Sequence, residues 1–226
     1  MQVCRMLTEQ LFFVMELLGA IAFAISGAMV AIKKEMDILG VVVLGLITAV
    51  GGGVIRDVIL GITPPITFTT PVYACVAIVT SILVFLPWVQ TFFAKNHKLY
   101  EITLLIADSL GLAIFTVNGI NVAYSVNLGD NFMLLLFVGV VTGCGGGVLR
   151  DVLAGDRPYI FVKHFYACAS ILGAMLCSLL WPYVGGMYAM IAGGLLIIVL
   201  RILAATFHWS LPKTKISQEI SEPPRS

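Results

Sequence analysis

Two pairs of adjacent opposite charges, Arg56–Asp57 and Arg150–Asp151, each follow three consecutive glycines inside runs that are otherwise apolar: "GGGVIRD" at Gly51–Asp57 and "GGGVLRD" at Gly145–Asp151. A charge in hydrocarbon costs about 2.5 kcal/mol or more and marks a functional site by default. Glycine costs roughly 1 kcal/mol relative to alanine in a helix interior, so a triplet predicts a kinked or partly unwound helix. Unwound backbone at membrane depth is tolerated only against protein or a water-filled cavity. Its freed carbonyls can replace part of a cation's hydration shell. The chemistry to expect is cation permeation, with Gly51, Gly52, Gly53, Gly145, Gly146 and Gly147 as helix-break and pore positions. Close packing of helices is the competing reading of any one glycine triplet.

The charges allow the same two readings, pore lining or structural clamp. Arg56 and Asp57 stand about 100° apart around a helix, which predicts that they do not pair with each other. The inverted symmetry offers each arginine an acid of the opposite half instead, without choosing it over the other intramembrane acids. Glu16 and Asp108 are further intramembrane candidates, and Ser26 and Asn118 are polar positions that line an aqueous path or hydrogen-bond a neighbouring helix.

The elements that position these residues follow from hydropathy. Of 226 residues, 60% are hydrophobic and 11% charged, against about 25% charged in soluble domains. Apolar runs near 12–32, 38–60, 71–93, 102–124, 131–154, 164–183 and 187–205 each suffice to cross a hydrocarbon core of ~30 Å. The fold class is therefore an all-α polytopic membrane protein with seven transmembrane helices. Arg5 before an apolar run ending in "AFA" mimics a cleavable signal, but Glu9 and Glu16 inside that region argue for a first transmembrane helix.

Internal repetition organises the chain. "GGGVIRDVILGITPPI" (Gly51–Ile66) returns as "GGGVLRDVLAGDRPYI" (Gly145–Ile160), and "YAC" at Tyr73–Cys75 returns at Tyr166–Cys168. Glu16, Gly19, Phe23 and Gly27 align with Asp108, Gly111, Phe115 and Gly119. Residues 1–94 read as a first three-helix repeat and 95–185 as a second; 186–207 form a seventh transmembrane helix and 208–226 a cytoplasmic disordered tail. A repeat with an odd number of spans enters the membrane from the other side the second time. The halves are therefore inverted-topology repeats, which place their site at the repeat interface near mid-membrane.

Basic residues collect on one face: Lys33, Lys34, Lys95, Lys98, Arg157, Lys163, Lys213, Lys215 and Arg225, against Arg5 on the other. The positive-inside rule then sets the N-terminus outside and the C-terminus in the cytoplasm of a multi-pass cell (inner) membrane protein. Lys33 and Lys34 serve this topology signal and could also meet anionic lipid head groups. A net charge of +1 leaves no electrostatic footprint for nucleic acid. No histidine or cysteine spacing suggests a metal site, and no nucleotide-binding or hydrolase motif points to an enzyme.

Two repeats of three helices, a seventh helix and GGGxxRD in helices two and five resemble the trimeric intracellular cation (TRIC) channel family in its prokaryotic branch. The resemblance implies a homotrimer in which each protomer has its own path for monovalent cations, chiefly K⁺ and secondarily Na⁺, without cofactors. It places the constriction at the two glycine triplets. A secondary transporter of a small zwitterion such as glycine is the alternative, since inverted repeats with broken helices serve both tasks. A structural or lipid-binding membrane protein with a closed interior is the third.

Overall fold

The computed structural model describes residues 2–162, 165–207 and 209, and the predicted tail lies outside them apart from Trp209. The chain forms α1 (Gln2–Lys33), α2 (Ile38–Ile59), α3 (Ile66–Thr69), α4 (Val72–Phe85), α5 (Pro87–Lys95), α6 (His97–Ser125), α7 (Phe132–Leu153), α8 (Tyr159–Val162), α9 (Tyr166–Val184) and α10 (Gly186–Thr206). Among the described residues, six helices are long and apolar enough to cross a membrane, and a bent pair taken as one span makes seven. Large apolar side chains such as Leu39, Phe137 and Leu195 point outward, as a lipid-facing surface requires.

The third span differs from the single helix expected. It bends by 66° between α4 and α5. Proline disfavours helical geometry in the residue before it and suits the first helical position. Leu86 accordingly adopts φ −57°, ψ 138°, and Pro87 opens α5. Gln90 Nε2 donates to Phe85 O at 2.6 Å, satisfying a carbonyl freed by the bend.

Equivalent positions close the helices of the two halves in the same way. Asp37 caps α2 by accepting from Gly40 N at 2.7 Å, and Asn131 caps α7 by accepting from Leu134 N at 3.1 Å. Both satisfy an amide that the first turn leaves unpaired. Gly61 and Gly155, at φ 71° and 73°, follow the C-termini of α2 and α7. Ile62 N and Asp156 N then reach back to Asp57 O and Asp151 O at 2.8 and 2.9 Å, the six-to-one bond of a Schellman ending.

The glycine triplets do not break their helices, contrary to expectation. α2 and α7 each run helical through Gly51–Gly53 and Gly145–Gly147. A Cβ at Gly52 would overlap the carbonyl oxygen of Thr142, and one at Gly146 would overlap that of Thr48. A Cβ at Gly145 would stand 3.2 Å from Gly52 Cα. The triplets thus let two helices touch backbone to backbone, and the dispersion attraction between the touching surfaces offsets glycine's helix cost. Beside this crossing, α1 and α6 meet through stacked Phe23 and Phe115, ring centroids 5.3 Å apart. Phe23 occupies the space that a Cβ on Gly111 would need.

Gly52→Ala and Gly146→Ala should each lower stability by about 1–3 kcal/mol through overpacking. Gly53→Ala, whose added Cβ would meet only Arg56 Nη2 at 3.8 Å, should instead raise stability by up to about 1 kcal/mol, the helix preference of alanine over glycine. Thermal melting in detergent tests this, and equal effects at Gly52 and Gly53 would remove the crossing from its structural role.

Candidate functional site

The ends of α2 and α7 carry the charged motifs to opposite sides of the glycine crossing. Each motif is built alike. Arg56 Nε donates to Asp57 Oδ1 at 2.8 Å, and Arg150 Nε to Asp151 Oδ1 at 2.8 Å. The second carboxylate oxygen accepts the backbone N–H of Ile66 at 2.7 Å or of Tyr159 at 2.8 Å, the first residues of α3 and α8. Neighbouring Arg and Asp therefore do pair, against the reading from helix angle alone. An arginine side chain is long enough to curl across the 100° or so between adjacent positions, and its fork bonds the carboxylate as it arrives. Each aspartate fastens the short helix that follows its span.

The surroundings of the two motifs then diverge. In the second half, Arg150 Nη1 lies 2.8 Å from Asp108 Oδ1 and also donates to Ser26 Oγ of α1. Asp108 Oδ2 receives Arg201 Nη2 of α10 at 3.3 Å. Arg150, Asp108, Asp151 and Arg201 are all buried, so two guanidinium groups balance two carboxylates. Tyr159 and Tyr166 lie under the cations, with guanidinium carbons 4.9 and 4.7 Å from their ring centroids. Burial raises the Tyr159 phenol above its ordinary value, and Arg150 opposes that shift. Of the candidate acids left open by the sequence, Arg150 takes Asp108 of its own repeat and not an acid of the opposite one. The link across the halves is the neutral Ser26.

In the first half, Arg56 has Asp57 as its ion-pair partner, and among the described residues no acid of the second repeat pairs with it. Glu16, the counterpart of Asp108, accepts from the neutral donors Tyr73 Oη and Asn118 Nδ2, the latter at 2.7 Å. A small cavity opens here, lined by Glu16, Gly53, Arg56, Thr67, Tyr73 and Asn118 among others. Gly53 and Gly147 face these polar pockets, while Gly52 and Gly146 face each other's helix.

Sequence reasoning missed Arg201, although a lone arginine in "LLIIVLRILAAT" is an intramembrane charge of the kind that marks a site. The repeat comparison hid it, because α10 has no counterpart. Tyr73 and Tyr166 were legible only as repeat markers. Lys34 pairs with Asp156 at 2.6 Å, joining the α1–α2 turn to the segment after α7, while Lys33 Nζ stands 5.9 Å from the Tyr100 ring centroid.

Known proteins share this architecture. A solved TRIC cation channel is 39% identical with TM-score 0.80, covering 91% of this chain and 98% of its own. The TRIC trimeric intracellular cation channel orthologue from Rhodobacter sphaeroides is 32% identical with TM-score 0.79, covering 88% and 99%. This chain belongs to the prokaryotic TRIC family. A UPF0126 inner membrane protein of Escherichia coli K12 is 35% identical over 89% of the chain and 95% of its own length. The family model described as "Glycine transporter" matches twice, at residues 13–88 and 105–182, so each half of this TRIC-family chain fits one unit by itself. The family's solved members are membrane channels and not enzymes.

Removing one partner of a buried ion pair costs about 3–5 kcal/mol. Asp57→Asn should incur that loss, since Arg56 keeps no other acid within ion-pair distance among the described residues. Asp151→Asn should cost less, because Asp108 still holds Arg150 at 2.8 Å. Denaturation of both variants, with hydrogen exchange at the Ile66 and Tyr159 amides, measures the difference. Equal losses would show that Asp108 carries none of the Arg150 charge.

Proposed function

We propose that the protein is a passive channel for monovalent cations, chiefly K⁺ and also Na⁺, with one path in each protomer. The observation that carries this reading is the placement of two polar clusters on opposite sides of the α2–α7 crossing, one beside the cavity at Glu16 and one built on the ion pairs of Asp108. The path runs between the halves through α1, α2, α6 and α7, with the glycine crossing as its narrowest point. The carbonyl oxygens of Thr48 and Thr142 lie at that constriction, and polar side chains face Gly53 and Gly147 on either side of it. The likeness to solved cation channels supports the same reading.

The protein acts as a homotrimer without cofactors, in keeping with the trimeric channel from Rhodobacter sphaeroides that it resembles. It sits in the cell (inner) membrane with the N-terminus outside and the C-terminus cytoplasmic, as the basic loops favour. Lys33 and Lys34 lie on the cytoplasmic face of this arrangement, within reach of anionic head groups. The three-helix repeats span 1–94 and 95–185.

Recording from purified protein in planar bilayers tests the channel. Unitary currents should reverse at the K⁺ equilibrium potential under a K⁺ gradient. The family description "Glycine transporter" favours a second reading, and saturable uptake of radiolabelled glycine into proteoliposomes without unitary currents would establish it over the channel.

A further inference from the structure

The bend at Pro87 leaves a cleft beneath α5. It measures about 430 Å³ and lies between the end of α1, α4, α5 and the start of α6, within the roughly 300–1,000 Å³ of small-molecule sites. Met29, Ile32, Val84 and Phe93 give it an apolar wall. Its neutral polar side chains are engaged by the protein itself. Gln90 Nε2 donates to Phe85 O at 2.6 Å, Thr91 Oγ1 to Pro87 O at 2.7 Å and Tyr100 Oη to Met29 O at 3.0 Å. His97 Nδ1 stands 3.7 Å from Glu101 Oε1. Lys33 differs. Its ammonium lies over the Tyr100 ring, 5.9 Å from the centroid, and among the described residues no acid pairs with it. The neighbouring Lys34 is held by Asp156 at 2.6 Å.

The cleft sits where the chain passes from lipid-like to polar. Trp88 and Phe92, four residues apart and so on one face of α5, are 71% and 57% exposed. Exposed tryptophan favours the boundary between acyl chains and head groups. Lys95 and Lys98 follow directly. At that depth a bilayer offers an acyl chain beside a phosphate. The chain matches the apolar wall, and one negative charge matches the one ammonium that no acid neutralises. A zwitterionic head group brings its own cation, and a polyphosphorylated one brings more charge than a single lysine balances.

We infer that this cleft binds one phospholipid with a singly charged anionic head group. The phosphodiester meets Lys33, and one acyl chain runs along Met29, Ile32, Val84 and Phe93. The lipid fills the wedge that the 66° bend opens between α5 and the rest of the first half. Lys33 and Lys34 therefore differ in role: the first recognises a head group, and the second joins α1 to the segment after α7. The site makes no use of the glycine crossing, so it stands or falls apart from the channel reading.

Native mass spectrometry of the purified protein in detergent, titrated with phosphatidylglycerol or with phosphatidylcholine of the same chains, tests the site. Wild-type protein should hold one phosphatidylglycerol per chain more tightly than phosphatidylcholine. Lys33→Gln should cut that preference by about fivefold, the worth of one lysine at an anionic head group. Lys34→Gln should leave it unchanged. Thr91→Trp, which fills the cleft from α5, should remove the bound lipid, with elution and melting establishing that each variant is folded. If Thr91→Trp does not fold, the two lysine variants decide the case. Equal losses in Lys33→Gln and Lys34→Gln mean attraction to the basic face at large and overturn the site, as does lipid retained by folded Thr91→Trp. Palmitate displacing phosphatidylglycerol at equal concentration assigns the cleft to a fatty acid and overturns the phospholipid. Absence of bound lipid in the wild type, as expected if a second copy of the chain covers the cleft, also overturns it.

Discussion

The direct contact between the backbones of α2 and α7 is the constraint on which the other features depend. No side chain fits between Gly52 and Thr142 or between Gly146 and Thr48. Within hydrocarbon, helices gain nothing from hiding apolar surface from water, so close approach and dispersion must hold them. The crossing fixes how far each helix continues toward its own side of the membrane. About one turn beyond it, Arg56 and Arg150 lie on either side of the crossing, because the contacts Gly52–Thr142 and Gly146–Thr48 run antiparallel. The stacked Phe23 and Phe115 fill the space beside the crossing, so tight packing separates the polar cluster at Glu16 from that at Asp108.

From that division follows the need to neutralise charge separately at each end. The local solution is common to both halves: an Arg–Asp neighbour pair whose aspartate also anchors the next short helix. The wider solution is not common. The seventh span brings Arg201 to Asp108, and among the described residues no equivalent cation pairs with Glu16. Tyr166 Oη finds no hydrogen-bond partner among the described residues, whereas its repeat counterpart Tyr73 donates to Glu16. A duplicated unit has become electrostatically unequal through an element outside the duplication.

Much of this was legible in the residues. Hydropathy places the spans, and the caps Asp37 and Asn131, with Gly61 and Gly155 after the helices, mark ends to within a few residues. The family model's two matches fall on the two halves that the repeated motifs delimit. The bend at Pro87 escapes a reading by hydropathy, although the geometry forced on Leu86 is a local rule. The glycine triplets mislead because propensity describes an isolated helix. In the folded chain, the loss of a side chain from Gly52 is offset by contact with α7, a neighbour that helix propensity does not include.

By itself the sequence determined the class of solvent, the number and inversion of the halves, and which residues are too polar to face lipid. Those properties depend on composition, period and span parity, all of which are one-dimensional. Only the tertiary structure decided that Arg150 turns to Asp108, Asp151 and Ser26, that Glu16 is left with neutral donors, and that the glycines are contacts and not breaks. Charge pairing depends on distances of a few ångströms between side chains remote in the chain, and those distances are set by how closely the helices pack.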